Sequence, residues 1–194
     1  MSGMTFLTDR AEAFRVSRAD FEEIRDRPPE QGRYELLDGE VLVTPSPTPA
    51  HQEAVAALLG LLRAALPPPQ IALPAPMDVM IQTADGDTVL QPDLVVGERA
   101  GLVAKGYEGP PVLVVEVLSP TTWHRDLGEK MAAYAYAGVP HYWVLAPETP
   151  SLTVYRLGQD GSYVEEQHVE GSQEAAVTAP VQLVLRPDQF TLGV

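Results

Sequence analysis

The chain has 194 residues, of which 45% are hydrophobic, and this is enough for one domain with a substantial core. Its 13 basic and 27 acidic residues give a formal net charge of -14 at pH 7, which counts against an extended surface for binding phosphates. The absence of cysteine excludes disulfides and thiolate metal sites, so a bound metal would need Asp, Glu, His or backbone oxygen as ligands.

The N-terminal part is predicted to contain an arm, a short helix and a hairpin. Residues 1–16 form the arm, and residues 17–194 form a single domain that starts with a helix capped at Ser17 and ended by RDRPPEQG. The stretch RYELLDGEVLV predicts two strands that turn at residues 38 and 39. Four apolar residues share one face of this hairpin: Tyr34, Leu36, Val41 and Val43. Glu35 lies on the opposite, mixed face, where strand residues are commonly solvated.

A second helix and several short strands follow. Residues 50–66 predict a helix that Pro67 ends. Its inward stripe consists of His51, Val55, Leu58, Leu62 and Ala65. A histidine at the apolar end of a helix, such as His51, is more often a core or cap residue than a ligand. Residues 71–96 predict short strands with a turn at residues 85 and 86, and Asp93 opens the last of them.

One predicted strand is apolar on both faces except for a single carboxylate. Residues 112–118 read VLVVEVL, with Glu116 as the exception. A strand of this kind is normally buried on both sides. Burying an unpaired carboxylate costs several kcal/mol. Glu116 must therefore pair with a cation, bind a metal ion or take up a proton.

Residues 122–137 predict one helix, with Gly138 as its C-terminal cap. Four residues are expected to face inward: Leu127, Met131, Tyr134 and Ala135. Lys130 is one of two lysines in the chain, and its spacing directs it toward this inward side. A surface salt bridge with Asp126, four residues earlier, accounts for its position equally well.

The strands HYWVLA and LTVYRL, a further hairpin and a closing strand at residues 181–185 complete the chain. This order predicts an α/β fold in which helices flank a mixed β-sheet and antiparallel hairpins are added to it. The strand–helix–strand unit at residues 112–146 is predicted to be a parallel crossover. A functional site is expected at the C-terminal edge of its strands.

No apolar stretch reaches the roughly 20 residues of a membrane-spanning helix. The first 14 residues also lack the apolar core of a signal peptide. We therefore expect a cytoplasmic protein without membrane contact.

Asp93 and Glu116 converge on one hard cation if their strands pair. Mg²⁺ commonly takes one or two protein carboxylates and completes its shell with water and substrate phosphate. Asp93 is alternatively a turn residue after Pro92, because Pro-Asp is common in turns. Glu116 is alternatively one half of a buried ion pair. Both alternatives remain open at this point.

Seven segments in order resemble the PD-(D/E)XK nuclease superfamily, and within it the Uma-two family of restriction endonuclease-like proteins. They are RYELLDGE, SPTPAHQ, QPDLVV, LVVEVLSPTT, DLGEK, YAYAGVPHYWVL and LTVYRL, which together extend over about residues 20–190. The resemblance implies a restriction-endonuclease-like fold and a Mg²⁺-dependent DNA endonuclease, with Mn²⁺ as a substitute ion. It also implies a homodimer.

The resemblance further implies roles for individual residues. Asp93 and Glu116 match the acidic pair of the motif, and the backbone carbonyl of Val117 completes the metal shell. The superfamily lysine is expected two residues after Glu116, where this chain has Leu118. The amine would then come from Lys130 on the following helix, with Glu35 as a further acid.

Three further residues belong to the predicted site as additional members: His51, Gln52 and Asp126. A second hypothesis is a nuclease fold that binds or regulates without turnover, and the net charge of -14 favours it. A third and more remote hypothesis is a structural interaction protein in which Glu116 pairs with Lys130.

Overall fold

Two six-stranded mixed sheets contain most of the regular structure, and the helices are few. The computed structural model describes residues 15–25 and 33–192. Its helices are α1 Arg18–Arg25, α2 Pro49–Ala65, α3 Trp123–Asp126 and α4 Glu129–Tyr136. Its strands are β1 Arg33–Leu37, β2 Glu40–Thr44, β3 Gln70–Pro74, β4 Val79–Thr83, β5 Gly86–Leu90, β6 Leu94–Glu98, β7 Leu102–Val103, β8 Gly106–Glu108, β9 Leu113–Val117, β10 His141–Ala146, β11 Ser151–Leu157, β12 Tyr163–Glu170, β13 Ala175–Val177 and β14 Leu183–Leu185.

The strand order shows how the two sheets are built. The first sheet has the order β2-β1-β5-β4-β8-β7, and the second has the order β12-β11-β10-β9-β6-β3. Strands β9 and β10 run parallel, whereas β6 and β9 run antiparallel. The predicted mixed α/β fold and the parallel strand–helix–strand unit are therefore confirmed. The structure adds a second large sheet and a small β13-β14 pair to the single sheet that we predicted.

Strand β9 is buried on both faces, as its sequence predicts. On one face Leu113 and Val115 join a core cluster that includes Leu58 and Leu62 of α2. On the other face Val114 joins a cluster with Tyr134 of α4 and with residues of the first sheet. Because side chains alternate along a strand, Glu116 lies on the same face as Val114. Its carboxylate is therefore directed between the second sheet, helix α4 and the first sheet.

The β1–β2 hairpin has the predicted apolar face. Tyr34 pairs with Val43 and Leu36 pairs with Val41, and three of these four residues pack with Phe21 of α1. The opposite face is also buried, because Leu37 on that face belongs to the core cluster on the Val114 side of β9. Glu35 on the same face is 2% exposed. The alternative in which Glu35 is a solvated strand residue was therefore wrong.

The helix predicted over residues 122–137 is interrupted. Helix α3 ends at Asp126, and α4 begins at Glu129 after Gly128 adopts a φ of -119° and a ψ of -99°. A Cβ at Gly128 would lie 2.8 Å from the carbonyl oxygen of His124. Because of this break Leu127 is 36% exposed, so its predicted inward position was wrong. The predicted cap Gly138 has a φ of +83° and is confirmed.

Other boundaries differ only in detail from the prediction. The tight turn between β4 and β5 is formed by residues 84 and 85, one residue earlier than predicted. The prediction of an arm falls largely on residues 1–14, which lie outside the described residues, and the single-domain boundaries stay a prediction. No helix within the described ranges is long and apolar enough to cross a membrane.

Candidate active site

A cavity of about 300 Å³ opens at the carboxyl end of β9. Two segments of its lining, residues 45–48 and residues 119–122, are exposed or half-buried, and we refer to them as its mouth. Its other lining residues are Arg33, Thr44, His51, Asp93, Glu116, Val117, Asp126, Lys130 and Glu148. The position at the carboxyl end of a parallel strand agrees with the predicted site.

Asp93 is held in the cavity wall by three neighbours. It directly precedes β6, which pairs with β9, and its Oδ2 accepts a hydrogen bond of 2.9 Å from the backbone N–H of Val117. The same oxygen lies 3.0 Å from Nε2 of His51, and Oδ1 accepts a bond of 3.3 Å from the guanidinium of Arg33. Asp93 is 3% exposed. Asp93 is therefore a buried residue that fixes the end of β9, and it does not serve only as a turn residue after Pro92.

The neighbours of Asp93 determine its charge state. Burial raises the pKa of the Asp93 carboxyl, but the hydrogen bond with His51 and the charges of His51 and Arg33 lower it. The net effect is a pKa below the ordinary value. Asp93 is therefore ionised at neutral pH and accepts from its three neighbours as a carboxylate.

Lys130 contacts three carboxylates at once. Its Nζ lies 3.0 Å from Oε1 of Glu35, 3.4 Å from Oε1 of Glu116 and 3.5 Å from Oδ1 of Asp126. The lysine is 5% exposed, and the acids are 2–3% exposed. Lys130 faces inward as predicted, and the alternative of a surface salt bridge with Asp126 was wrong because the pair is buried.

One ammonium group cannot neutralise three carboxylates. Burial raises the pKa of Glu116, and although Lys130 lowers it, Asp126, Asp93 and Glu35 raise it again, so that it lies well above the ordinary value. Burial likewise raises the pKa of Asp126. Burial lowers the pKa of Lys130, but the charges of Glu116, Glu35 and Asp126 outweigh this, and the net shift is upward. The cluster therefore has an excess of buried acid.

Two of these acids are anchored by further hydrogen bonds. Oε1 of Glu35 accepts from the backbone N–H of Gln91 at 2.7 Å, and Oε2 accepts from the hydroxyl of Thr44 at 3.2 Å. Oδ2 of Asp126 accepts from the hydroxyl of Thr122 at 3.0 Å. Glu35 contacts Lys130 without lining the cavity. These hydrogen bonds fix both carboxylates at the positions from which they contact the ammonium group of Lys130.

The structure brings together most of the predicted site. One connected group contains seven of the eight predicted residues: Glu35, His51, Asp93, Glu116, Val117, Asp126 and Lys130. Gln52 is exposed and does not line the cavity. The catalytic and metal-binding roles of these residues stay predictions. The alternative of a buried ion pair for Glu116 agrees with its contact to Lys130.

Our sequence reasoning missed Arg33, Thr44 and Thr122. The hairpin could have indicated the first two, because Arg33 lies two residues before Glu35 and therefore on the same face. Thr44 is the cross-strand partner of Arg33. Thr122 carries no such signal, since its hydroxyl reaches Asp126 only through the local turn into α3.

The donor set of the cavity suits a hard divalent cation. Among residues 15–25 and 33–192, no three Asp, Glu or His side chains are grouped so that they could hold a metal ion. Mg²⁺, however, needs only one or two carboxylates beside backbone oxygen and water. Asp93, Glu116 and Val117 line one cavity, so two carboxylates and a backbone oxygen could form such a set. The raised pKa of Glu116 shows that its ionised form is disfavoured in the metal-free site, and a bound cation would favour that form.

Comparisons with known proteins find a structure described as a nuclease and a sequence relative with a different name. A crystal structure described as a "putative nuclease belonging to DUF820", from Anabaena variabilis ATCC 29413, has a TM-score of 0.65 at 17% identity. The match covers 88% of this chain and 96% of that one, and it shows a shared fold. A protein named "Bacilliredoxin", from Salinibacter ruber (strain DSM 13855 / M31), is 27% identical over 113 residues. That match covers 57% of this chain and 63% of the relative, which is less than two thirds of its length.

The family comparison extends over most of the chain. A family model described as "Uma2: Putative restriction endonuclease" matches residues 19–188. This range includes both six-stranded sheets and every residue of the cavity. The solved structure described as a putative nuclease shares the fold of this chain over 88% of its length. The chain therefore belongs to the Uma2 family, described as putative restriction endonucleases.

Proposed function

We propose that this protein is a metal-dependent DNA endonuclease that hydrolyses phosphodiester bonds in the cavity at the end of β9. The observation that carries the proposal is the excess of buried acid around Lys130, which includes a Glu116 pKa well above its ordinary value. Buried carboxylates that outnumber their cationic partners destabilise a fold, so a cluster of this kind is typical of a functional site. Membership of the Uma2 family supports the same activity.

Asp93, Glu116 and the backbone carbonyl of Val117 would hold a Mg²⁺ ion, with Mn²⁺ as a substitute. When bound, such an ion supplies Lewis-acid polarisation of the phosphate and promotes the ionisation of water. Asp93 is suited to this role because His51, Arg33 and the N–H of Val117 keep its carboxylate ionised and fixed. Glu116 is suited because its negative charge is not fully compensated by Lys130.

Lys130 would orient the attacking water and stabilise the negative charge that develops on the phosphate. Its upward pKa shift keeps the ammonium protonated, so it acts as a hydrogen-bond donor and not as a base. Glu35 and Asp126 restrain the position of its side chain, because each has a carboxylate oxygen within 3.5 Å of Nζ. Lys130 thus provides the amine that Leu118 cannot provide.

The second candidate is a nuclease fold that binds nucleic acid or metal without turnover. The net charge of -14 favours it, because the protein has few cations with which to neutralise phosphates. The two candidates share the metal site and differ in cleavage. They are therefore separated by an assay that measures metal binding and strand scission on the same preparation.

The test incubates purified protein with supercoiled plasmid in Mg²⁺, in Mn²⁺ and in EDTA. We expect nicking that requires the metal and that is lost in Glu116→Gln, a variant of nearly the same shape. Glu148→Gln is the matched control, because Glu148 lines the same cavity but is exposed, and its cleavage should be unchanged. A metal-dependent rise in melting temperature without cleavage would favour the second candidate. Equal cleavage by wild type and Glu116→Gln would reject the endonuclease proposal and indicate a contaminant.

A further inference from the structure

An exposed tryptophan lies beside the mouth of the cavity. Trp123 is the first residue of α3 and directly follows Thr122, the last residue of the mouth segment 119–122. Its backbone N–H donates to the carbonyl of Ser119, which fixes the start of α3 on that segment. Trp123 is 41% exposed, although the ring of His124 lies against it with 3.4 Å between ring centroids. An exposed aromatic side chain thus directly follows a segment that lines the cavity, although its ring is not part of the lining.

The proposed reactive groups are more deeply buried than the mouth of the cavity. Asp93, Glu116 and Lys130 line the cavity and are only 2–5% exposed, whereas the two mouth segments are exposed or half-buried. A phosphate must therefore enter the cavity to reach them. A strand within a regular duplex is constrained by its partner and by base stacking, whereas an unpaired strand can bend its backbone inward.

The mouth offers little electrostatic attraction for a duplex. Its two segments consist of proline, serine and threonine, and the charged residue exposed in the lining, Glu148, is acidic. Among the described residues that line the cavity, the basic ones are Arg33, His51 and Lys130, which are buried or half-buried, and His124 and Arg125 follow the segment 119–122 on α3. Affinity must then come largely from contacts that do not depend on neutralising phosphates. Stacking of a base on an aromatic ring is such a contact, and it requires a base that is not already stacked in a duplex.

We infer that the substrate is nucleic acid with an unpaired strand at the cleavage position, and that Trp123 stacks on a base next to the phosphate in the cavity. This inference rests on the proposed function, since it takes a phosphodiester as the substrate. Trp123 is then a specificity-determining residue. It selects single-stranded over duplex substrate, while the buried groups of the cavity carry out the hydrolysis.

The first test measures binding in Mg²⁺ with the Glu116→Gln variant, so that the probe stays intact. The probe is a fluorescein-labelled single strand of mixed sequence, alone or annealed to its complement. We expect the single strand to bind at least about 10-fold more tightly than the duplex, and Trp123→Ala to weaken single-strand binding by about 5- to 150-fold. Trp123→Phe keeps a ring and should retain most of the affinity. Tyr136→Ala is the control, because Tyr136 is 63% exposed but lines a different cavity.

The second readout is intrinsic fluorescence, which a purely structural role of Trp123 would not change. The chain has two tryptophans, and Trp143 is fully buried. The single strand should quench the emission of Trp123, and this quenching should disappear in Trp123→Phe, where only Trp143 remains. Equal affinity for both probes, or unchanged single-strand binding in Trp123→Ala, would overturn the inference.

Cleavage by the wild type separates failure of the inference from failure of the proposed function. Equal cleavage of single strand and duplex, unaffected by Trp123→Ala, would leave an endonuclease and reject the role of Trp123. Quenching and tight single-strand binding without any cleavage would reject the endonuclease and keep Trp123 as a binding residue. Absence of both binding and cleavage would reject both.

Discussion

Replacing Lys130 with methionine tests how the buried cluster is balanced. Met has a similar length and good helix propensity, so α4 should still form. The change removes the cation within 3.5 Å of Glu35, Glu116 and Asp126, all of them buried. Removing one partner from a buried ion pair costs about 3–5 kcal/mol. Three acids lose their partner, but Glu116 already has a raised pKa and can take up a proton. Its protonation removes one buried charge, so the loss of stability should stay near about 3–5 kcal/mol.

The expected loss is large enough to measure by thermal unfolding in EDTA. For a chain of this length each kcal/mol corresponds to about 2–4 °C, so the melting temperature should fall by about 6–20 °C. Added Mg²⁺ should restore part of the loss, because it binds the folded state alone and contributes about 2.7 kcal/mol at 100 times its Kd. Cleavage at saturating Mg²⁺ should still be about 10²- to 10³-fold slower, because the electrostatic stabiliser is missing.

The matched control is the other lysine in the chain. Lys105 pairs with Glu22 at 2.6 Å, but its side chain is 53% exposed, so Lys105→Met should cost no more than about 1 kcal/mol. An unchanged melting temperature for Lys130→Met would refute the reasoning about buried charge. Recovery of near-normal cleavage in Mg²⁺ would instead refute the catalytic role and leave Lys130 as a structural counter-ion.

Three further predictions concern pH, the metal and the assembly. Because the pKa of Glu116 is raised in the folded state, the folded protein binds more protons than the unfolded one, so the free energy of unfolding in EDTA should fall as the pH rises above the ordinary pKa of glutamate. Urea titrations should show a smaller fall for Glu116→Gln than for the wild type. An equal fall in both proteins would contradict this. Asp93→Asn should abolish the rise in melting temperature that Mg²⁺ causes, and an undiminished rise would remove Asp93 from the metal site. The family resemblance predicts a homodimer, and light scattering that shows a 21.0 kDa monomer at micromolar concentration would refute it.

Local patterns predicted the parts of the fold that depend on short-range physics. The period-2 apolar pattern of β9, the Asp38-Gly39 turn and the cap at Gly138 were all confirmed. Each depends on neighbouring residues only, through side-chain alternation or a positive φ. The break at Gly128 could not be read in the same way, because the apolar spacing continues through it. What decides it is the close approach of Gly128 to the carbonyl of His124.

The site was predicted more fully than its environment. Glu116 was recognisable because a carboxylate in an apolar strand must have a partner, and Lys130 because its spacing directs it inward. The burial of Glu35 was not recognisable, since the second face of the hairpin is covered by residues distant in sequence. Sequence patterns report which face is apolar, but they do not report that a polar face will be buried against another sheet.

The site draws its groups from both large sheets, since Glu35 belongs to the first and Glu116 to the second. On each side of this junction one backbone amide donates to a side-chain carboxylate: the N–H of Gln91, after β5 of the first sheet, donates to Glu35, and the N–H of Val117, in β9 of the second, donates to Asp93. Their hydrogen exchange with solvent therefore reports on side-chain carboxylates and not only on strand pairing. Because one amide belongs to each sheet, comparing their exchange rates would show whether the two halves of the site open to solvent as one unit or separately.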